Sequence, residues 1–386
     1  MQSLIKKKIF IIVNSPLFIQ QHLLPIINKL KKDNELYLLY KYDKEFKINI
    51  KNIKKISIPL TRNPSLLDFL SLIKLAFIKN LIKPDICISF TPKAGLVNTL
   101  TSSFSRKTYH YFTGQRWANF SGLKLNFYKF IDRYIIKTCD RTFCDSYSQA
   151  LFIQKSLKTY KPFVIGKGSV SGVNFKKYDV PNAIARKRLE KKENLINKKI
   201  KNLLLEENSS KKTVFGFVGR LNSDKGINEL LEAFKMHNKN FSNSILLLIG
   251  PNELSQKSYK KITSTKNCFH IKFLKEIHLI IPCLSCLILP SHREGFGSVL
   301  IEAAASKVPI ITTDIPGPRD FIKHLYNGYL VKPKDINSLK VGLDYFANNS
   351  NNCSIFAKRA FDLCKKYYNE DYVSNLFVKE LTKKLF

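Results

Sequence analysis

The chain has 386 residues, and its 44% apolar and 12% aromatic content excludes an intrinsically disordered polymer. That length exceeds what one hydrophobic core usually serves, so two domains are expected. Lys and Arg number 65 against 29 Asp and Glu; the resulting net charge of +36 disfavours basic partners and attracts phosphates, in nucleotides, nucleic acid or an anionic membrane surface. Residues 1–170 are the more densely basic part, with 29 Lys and Arg against 9 Asp and Glu. A Lys-, Ile- and Asn-rich composition supplies part of this excess without any ligand.

In chain order, Lys6-Lys7-Lys8 precedes an apolar run over 9–13 that stops at Asn14 with no small-residue cleavage site beyond it. The run reads as a first buried strand, not as a secretion signal. Further short β-branched runs at 36–40, 55–58, 85–90 and 108–112 read as strands. Helical apolar spacing falls between them at 17–30, 66–81 and 93–104. Strand–helix alternation of this kind implies a parallel sheet with helices on both faces.

From 180 to 212 the texture turns polar, with Arg186-Lys187-Arg188, Lys191-Lys192, Lys198-Lys199 and Lys211-Lys212. This reads as a surface helix of the second domain or a long connection. The boundary is placed just before it, giving domains 1–170 and 171–370, with a final helix at about 371–386 packed back on the first.

The alternation then restarts, with strands at 214–218, 245–249, 286–289 and 309–312 and helices at 227–235, 299–306 and 339–346. Apolar residues 227, 230, 231 and 234 show the i, i+3, i+4, i+7 stripe. The expected fold class is α/β: two Rossmann-like doubly wound domains facing across a cleft at the carboxyl ends of their strands. No run reaches the ~18 apolar residues of a membrane span, so a soluble or peripheral cytoplasmic protein is expected. The eight cysteines contain one C-x-x-C pair, Cys283 and Cys286, inside an apolar run; they read as buried free thiols, not as a metal site.

Two motifs carry chemistry. In Phe215–Gly226 a strand ends at Gly219, Arg220 follows, and Lys225-Gly226 opens the next helix. A guanidinium, an ammonium and a helix N-terminus at one point suit a pyrophosphate whose charge grows as its bond to a sugar breaks. A basic strand–helix turn with glycine for packing is the structural alternative. In the second motif Glu294 leads Gly295-Phe296-Gly297, Ser298 stands as N-cap of a helix, and Glu302 follows in its early turns. The backbone N–H groups of this turn suit phosphate, and the two carboxylates suit paired sugar hydroxyls. The alternative makes Glu302 a helix-dipole residue and Glu294 a solvated loop charge.

The E-x7-E spacing of Glu294 and Glu302, with G-R-L-x-x-x-K-G at 219–226, resembles the retaining family 4 glycosyltransferases of GT-B fold. Pro290-Ser291, Pro309 and the upstream strings 110–117, 145–149 and 168–173 look like a bacterial subgroup of surface-polysaccharide and lipid-linked oligosaccharide assembly. The resemblance implies a nucleotide-sugar donor, UDP-linked, with no resident cofactor and no metal. It implies that Arg220 and Lys225 bind the donor diphosphate, with backbone N–H groups at Gly295, Phe296 and Gly297, and that Gly219 lets backbone approach it. Glu294 would hold the transferred sugar and Glu302 the ribose, while His110, at a strand end, would stand near sugar and acceptor. The first loop, Asn14-Ser15-Pro16-Leu17, departs from the glycine-rich turn of many relatives.

The implied acceptor is a saccharide, free or polyprenyl-diphosphate-linked. An anionic surface on the inner face of the plasma membrane would meet Lys6–Lys8, Lys29, Lys31, Lys32, Lys51, Lys54, Lys55, Arg106, Lys107 and Arg116. Two other classes are weighed: a GT-B-like epimerase or phosphorylase, and a basic nucleic-acid-binding protein. The first lacks an identifiable acid–base pair or cofactor lysine, and the second lacks any recognised motif, so no nucleic-acid partner is expected.

Overall fold

The computed structural model describes residues 6–383 apart from 44, 45, 47, 62–64, 66, 193, 194, 206–211, 273 and 275. Leu66, Lys211 and positions 384–386, named in the expectations above, lie outside the described residues. The chain divides into two compact units, Met1–Gly172 with Glu370–Phe386, and Val173–Asn369.

The first unit is built on seven parallel strands: β1 Lys8–Ile12, β2 Glu35–Tyr40, β3 Lys54–Ser57, β4 Ile86–Phe90, β5 Lys107–Phe112, β6 Arg141–Cys144 and β7 Phe163–Val164. Their order is β3-β2-β1-β4-β5-β6-β7, reversing between β1 and β4. The central strands are unbroken apolar runs because both of their faces are buried. Ile9 and Ile11 pack with Ile27 and Leu30 of the Leu24–Asp33 helix, on the face that also receives the Glu370–Thr382 helix. Phe10 and Ile12 pack against Leu75, Ile78 and Ala94 of the Leu67–Ile82 and Pro92–Leu100 helices. The Gly122–Thr138 helix continues that second layer beside Phe112 and Cys144. In the terminal helix, Phe377 stacks at 5.8 Å on Tyr111, and Glu380 pairs with Arg141 at 2.8 Å.

The helix expected over 17–30 is interrupted. A π-turn, Ile19–Leu23, separates the short Pro16–Phe18 turn from the Leu24–Asp33 helix. Pro25 has no N–H to donate to the preceding turn, so the α-helical ladder cannot run through it.

The second unit has six parallel strands: β8 Val214–Val218, β9 Ile245–Ile249, β10 Cys268–Ile271, β11 Cys286–Leu289, β12 Ile310–Thr313 and β13 Tyr329–Val331. Their order is β10-β9-β8-β11-β12-β13, so the strand order reverses between β8 and β11. The polar stretch after 180 supplies two helices, Asn182–Glu190 and Lys198–Leu205, whose Leu189, Ile200 and Leu204 join this unit's core. Among the described residues, no helix is long and apolar enough to cross a membrane.

Candidate functional site

A doubly wound sheet opens a crevice where neighbouring strands send their connections to opposite faces. In the second unit that point lies between β8 and β11, whose following loops carry the two sequence motifs. The loops are locked together by backbone. Gly226 adopts φ +68°, and a Cβ there would lie 2.1 Å from the Pro290 carbonyl oxygen, so no other residue fits without a shift.

Side chains add two ion pairs between the same loops. Lys225 Nζ pairs with Glu294 Oε1, and the fully buried Ser291 donates its hydroxyl to that carboxylate oxygen at 2.7 Å. Arg293 pairs with Asp224 at 2.6 Å, and His292 Nε2 lies 3.1 Å from Glu229 Oε1. Ser291 is itself fixed by Thr313 at the end of β12, which donates to its carbonyl at 2.5 Å. The structure therefore brings Lys225 and Glu294 into direct contact, from positions 69 residues apart.

The Ser298–Ala305 helix starts differently from expectation. Gly297, at φ +88°, is the N-cap, and Ser298 is already the first helical residue. A left-handed N-cap turns the chain sharply, and glycine accepts it without steric cost. The helix's first N–H groups have no intrahelical acceptors, and its dipole favours an anion at this end. Phe296 contributes backbone only, because its ring is buried at 5.2 Å from Tyr368 and 6.1 Å from Phe321.

Glu302 is half-buried in that helix, and burial pushes its carboxyl up to about 7. The Tyr178 hydroxyl hydrogen-bonds to it and opposes that rise. It is neither a simple dipole residue nor a fully solvated charge.

Arg220 follows Gly219 at the end of β8, as the motif requires, yet its guanidinium is paired with a carboxylate that sequence reading missed. Nη1 lies 2.8 and 3.0 Å from the two oxygens of Glu253, which also accepts from Asn222 at 2.9 Å. Glu253 arrives on the loop after β9, the strand paired with β8. The available signal was an acidic residue just beyond a strand-ending Gly250-Pro251.

His110 requires a correction. It is the fourth of the six residues of β5 and is fully buried. Strand parity turns it onto the layer of the Pro92–Leu100 helix, where Nδ1 is 3.0 Å from Ser89 Oγ and the ring meets Phe112 edge-on at 4.4 Å. Burial lowers its pKa to about 3, so the imidazole is neutral. It is a packed core histidine with no solvent-facing atom to offer a substrate.

Among the described residues, no group of three or more His, Cys, Asp or Glu has the arrangement of a metal site. Seven of the eight cysteines are buried, Cys283 and Cys286 among them. What the β8 and β11 loops present is a helix N-terminus, two cations and two carboxylates around one sheet edge. That combination can hold a diphosphate together with hydroxyl-bearing groups on either side of it.

Residues 200–362 match the family described as "Glycosyl transferases group 1", and both motifs lie within that span. The chain matches this family over less than half of its length, within the second unit. Its similarity extends further than the matched segment. The Staphylococcus aureus capsular polysaccharide biosynthesis glycosyltransferase CapM is 29% identical over 329 residues, covering 83% of this chain and 82% of CapM. The Escherichia coli UDP-Gal:alpha-D-GlcNAc-diphosphoundecaprenol alpha-1,3-galactosyltransferase is 27% identical, covering 53% of this chain and 54% of that enzyme. Among solved structures, the sucrose-phosphate synthase of Thermosynechococcus elongatus superposes with a TM-score of 0.77 at 16% identity, covering 97% of this chain and 98% of the other. HepE of Anabaena, solved with UDP-glucose, gives 0.77 at 15% identity, with 97% and 99% covered. The chain thus has the GT-B fold.

Proposed function

We propose that the chain transfers a hexosyl or N-acetylhexosaminyl group from a UDP-sugar to a saccharide acceptor, lipid-linked, in the synthesis of O-antigen, capsule or a related surface glycan, with retention of the anomeric configuration. The observation that supports this reading is the Lys225–Glu294 contact, an ammonium able to bind a diphosphate beside a carboxylate able to accept from sugar hydroxyls. The UDP-glucose complex of HepE and the diphosphoundecaprenol-linked substrate of the E. coli relative support the donor and acceptor classes.

In this mechanism the bond from C1 of the sugar to the diphosphate oxygen breaks, and the electron pair stays on that oxygen. Arg220 and Lys225 stabilise the charge, together with backbone N–H groups of Phe296 and Gly297 at the helix N-terminus. The acceptor hydroxyl oxygen bonds to C1, and its proton passes to the departing phosphate. Glu294 orients the transferred sugar, and Glu302 accepts from the ribose. The cations supply the charge compensation, so the reading calls on no resident cofactor or metal. The first unit, with its denser positive charge, is assigned the acceptor.

The test is a panel of UDP-, GDP- and dTDP-sugars with purified protein, released nucleotide as the readout, and the product's anomeric proton coupling measured by NMR. Release from UDP-sugars with an α-linked product from an α-linked donor is expected. An inverted product would overturn retention, and turnover by Arg220→Ala within a few fold of wild type would overturn the assigned charge stabilisation.

A further inference from the structure

Beside the β8 loop runs the turn after β9, and it is fastened to strands on both sides. Gly250 N–H donates to the Ile271 carbonyl of β10 at 2.9 Å, and Gly219 N–H donates to the Ile249 carbonyl at 2.9 Å. Further out, Leu221 N–H donates to the Pro251 carbonyl at 2.9 Å, and Leu221 pairs with Asn252 as an isolated parallel bridge. Gly250, at φ +143°, abuts Gly219 so closely that a Cβ on it would lie 2.0 Å from the Gly219 carbonyl oxygen. No side chain fits there. The position falls to glycine, the residue whose backbone is least restrained by its own sterics. Pro251 follows with no N–H to anchor the corner.

The Gly250 carbonyl is held instead by a side chain of β10. His270 Nε2 lies 2.8 Å from that oxygen, and a carbonyl only accepts, so Nε2 carries the hydrogen. Nδ1 is 3.0 Å from the hydroxyl of Tyr259, on the Gln256–Ser264 helix, whose ring meets the imidazole edge-on at 5.5 Å. Both ring nitrogens are engaged, so the imidazole cannot swing without giving up a partner. Two consecutive residues of β10 thus grip both polar groups of the Gly250 backbone, Ile271 its N–H and His270 its C=O. A histidine kept for packing alone has no need of that second contact.

Resting on the charge-stabilising role assigned to Arg220, we propose that His270 is a positioning residue for departure of the diphosphate, acting on Arg220 through Gly250. Fixing Gly250 fixes Gly219 against it, and Arg220 is the next residue in the chain. The same turn leads to Glu253, whose two carboxylate oxygens hold the Arg220 guanidinium at 2.8 and 3.0 Å. Backbone and side chain of Arg220 are therefore both placed by a turn that His270 secures. A cation stabilises developing charge best when nothing has to reorganise as the bond breaks. Loss of the imidazole N–H should slow the chemical step and leave nucleotide affinity nearly unchanged.

The experiment is a double-mutant cycle on the full-length chain. It reads kcat as UDP released from the best UDP-sugar of the donor panel, and UDP affinity by calorimetry. His270→Phe keeps a ring and removes the Nε2 donor; kcat should fall roughly tenfold, the scale of one lost hydrogen bond, with UDP affinity within about twofold of wild type. His270→Gln places an amide N–H where Nε2 stood and should recover most of that loss. In the Arg220→Ala background His270→Phe should cost less than about twofold, because the residue it positions is gone. An equal loss in both backgrounds, or no rescue by His270→Gln, makes His270 a packing residue and overturns the proposal. Arg220→Ala with turnover near wild type overturns the charge-stabilising role and the positioning role with it. Arg220→Ala impaired while His270→Phe is neutral overturns the positioning role alone. If a thermal melt shows His270→Phe unfolded, Tyr259→Phe, which removes only the hydroxyl that orients the ring, carries the same cycle with an expected loss of about threefold.

Discussion

Arg220 shares one guanidinium nitrogen between both carboxylate oxygens of Glu253, at 2.8 and 3.0 Å. The cation assigned to the leaving diphosphate is thus already paired, and a donor must draw it away from, or share it with, this carboxylate. The pair is held in place by backbone, since Glu253 N–H donates to the Leu221 carbonyl at 2.8 Å.

Glu253→Gln removes the competing charge while keeping an acceptor oxygen. UDP affinity, measured by calorimetry, should then rise by about twofold to fivefold, the scale of a part-exposed ion pair. Arg220→Ala should lower kcat/KM by roughly a hundredfold, because charge on the departing diphosphate grows mainly in the transition state. Weaker UDP binding by Glu253→Gln would instead assign that carboxylate to holding Arg220 in its productive orientation.

Lys225 and Glu294 form the complementary case. Their side chains are only 20% and 11% exposed, so removing one partner leaves the other poorly solvated. Lys225→Met should cost about 1–3 kcal/mol in urea denaturation and nearly all turnover. Adding Glu294→Gln should restore most of the stability, since no unpaired charge remains, but none of the activity. A double variant that recovers turnover would make the pair merely structural.

The limits of sequence reading follow from where the information sits. Strands β1, β4, β8, β9 and β11 were legible because burial on both faces leaves them as uninterrupted apolar runs. Strands β6 and β7 span four and two residues and join the sheet at its edge, where too few apolar positions accumulate to register. The Gly122–Thr138 helix was obscured because Leu123, Phe127 and Phe130 place apolar residues on its outer face and blur the 3.6-residue stripe. The Lys225 and Glu294 motifs were legible as local spacing on strand–loop–helix turns. Glu253 was not, because only the pairing of β8 with β9 brings it to Arg220.

With Glu302 at the ribose as proposed, stability and nucleotide binding should respond to pH in opposite senses. Its carboxyl is raised from 4.5 to about 7 by burial, so the folded chain holds a proton that the unfolded chain has released between those values. Its stabilising contribution is complete below about 4.5 and is lost as pH rises through 7. The change is on the order of 3 kcal/mol. Glu302→Gln should flatten that slope in urea titrations between pH 5 and pH 8, ranges set by the same shift. In the proposed binding mode the ionised carboxylate accepts from ribose hydroxyls, so UDP affinity should increase over the same window in wild type and not in the variant. Equal pH slopes in the two proteins would remove Glu302 from the nucleotide site.

His110 and Gly95 provide the sharpest test of the corrected assignment in β5. A Cβ on Gly95 would lie 2.5 Å from His110 Cε1 and 2.7 Å from its Nδ1, so the glycine exists to admit the imidazole. An alanine in a helix interior ordinarily gains about 0.5–1 kcal/mol over glycine. Here Gly95→Ala should instead destabilise by about 1–3 kcal/mol, the range for overpacking a filled core. In the Gly95→Ala/His110→Ala double variant that penalty should largely vanish relative to His110→Ala alone, giving a strongly non-additive cycle in denaturant midpoints. The wild-type imidazole, lowered to about 3, is neutral in the fold and protonated in the unfolded chain between that value and 6.5. Stability from this group is therefore present above 6.5 and falls as pH drops towards 3, and His110→Ala should weaken that acid sensitivity. Additive Gly95 and His110 effects would place the imidazole outside the packed layer and return it to the candidates for substrate contact.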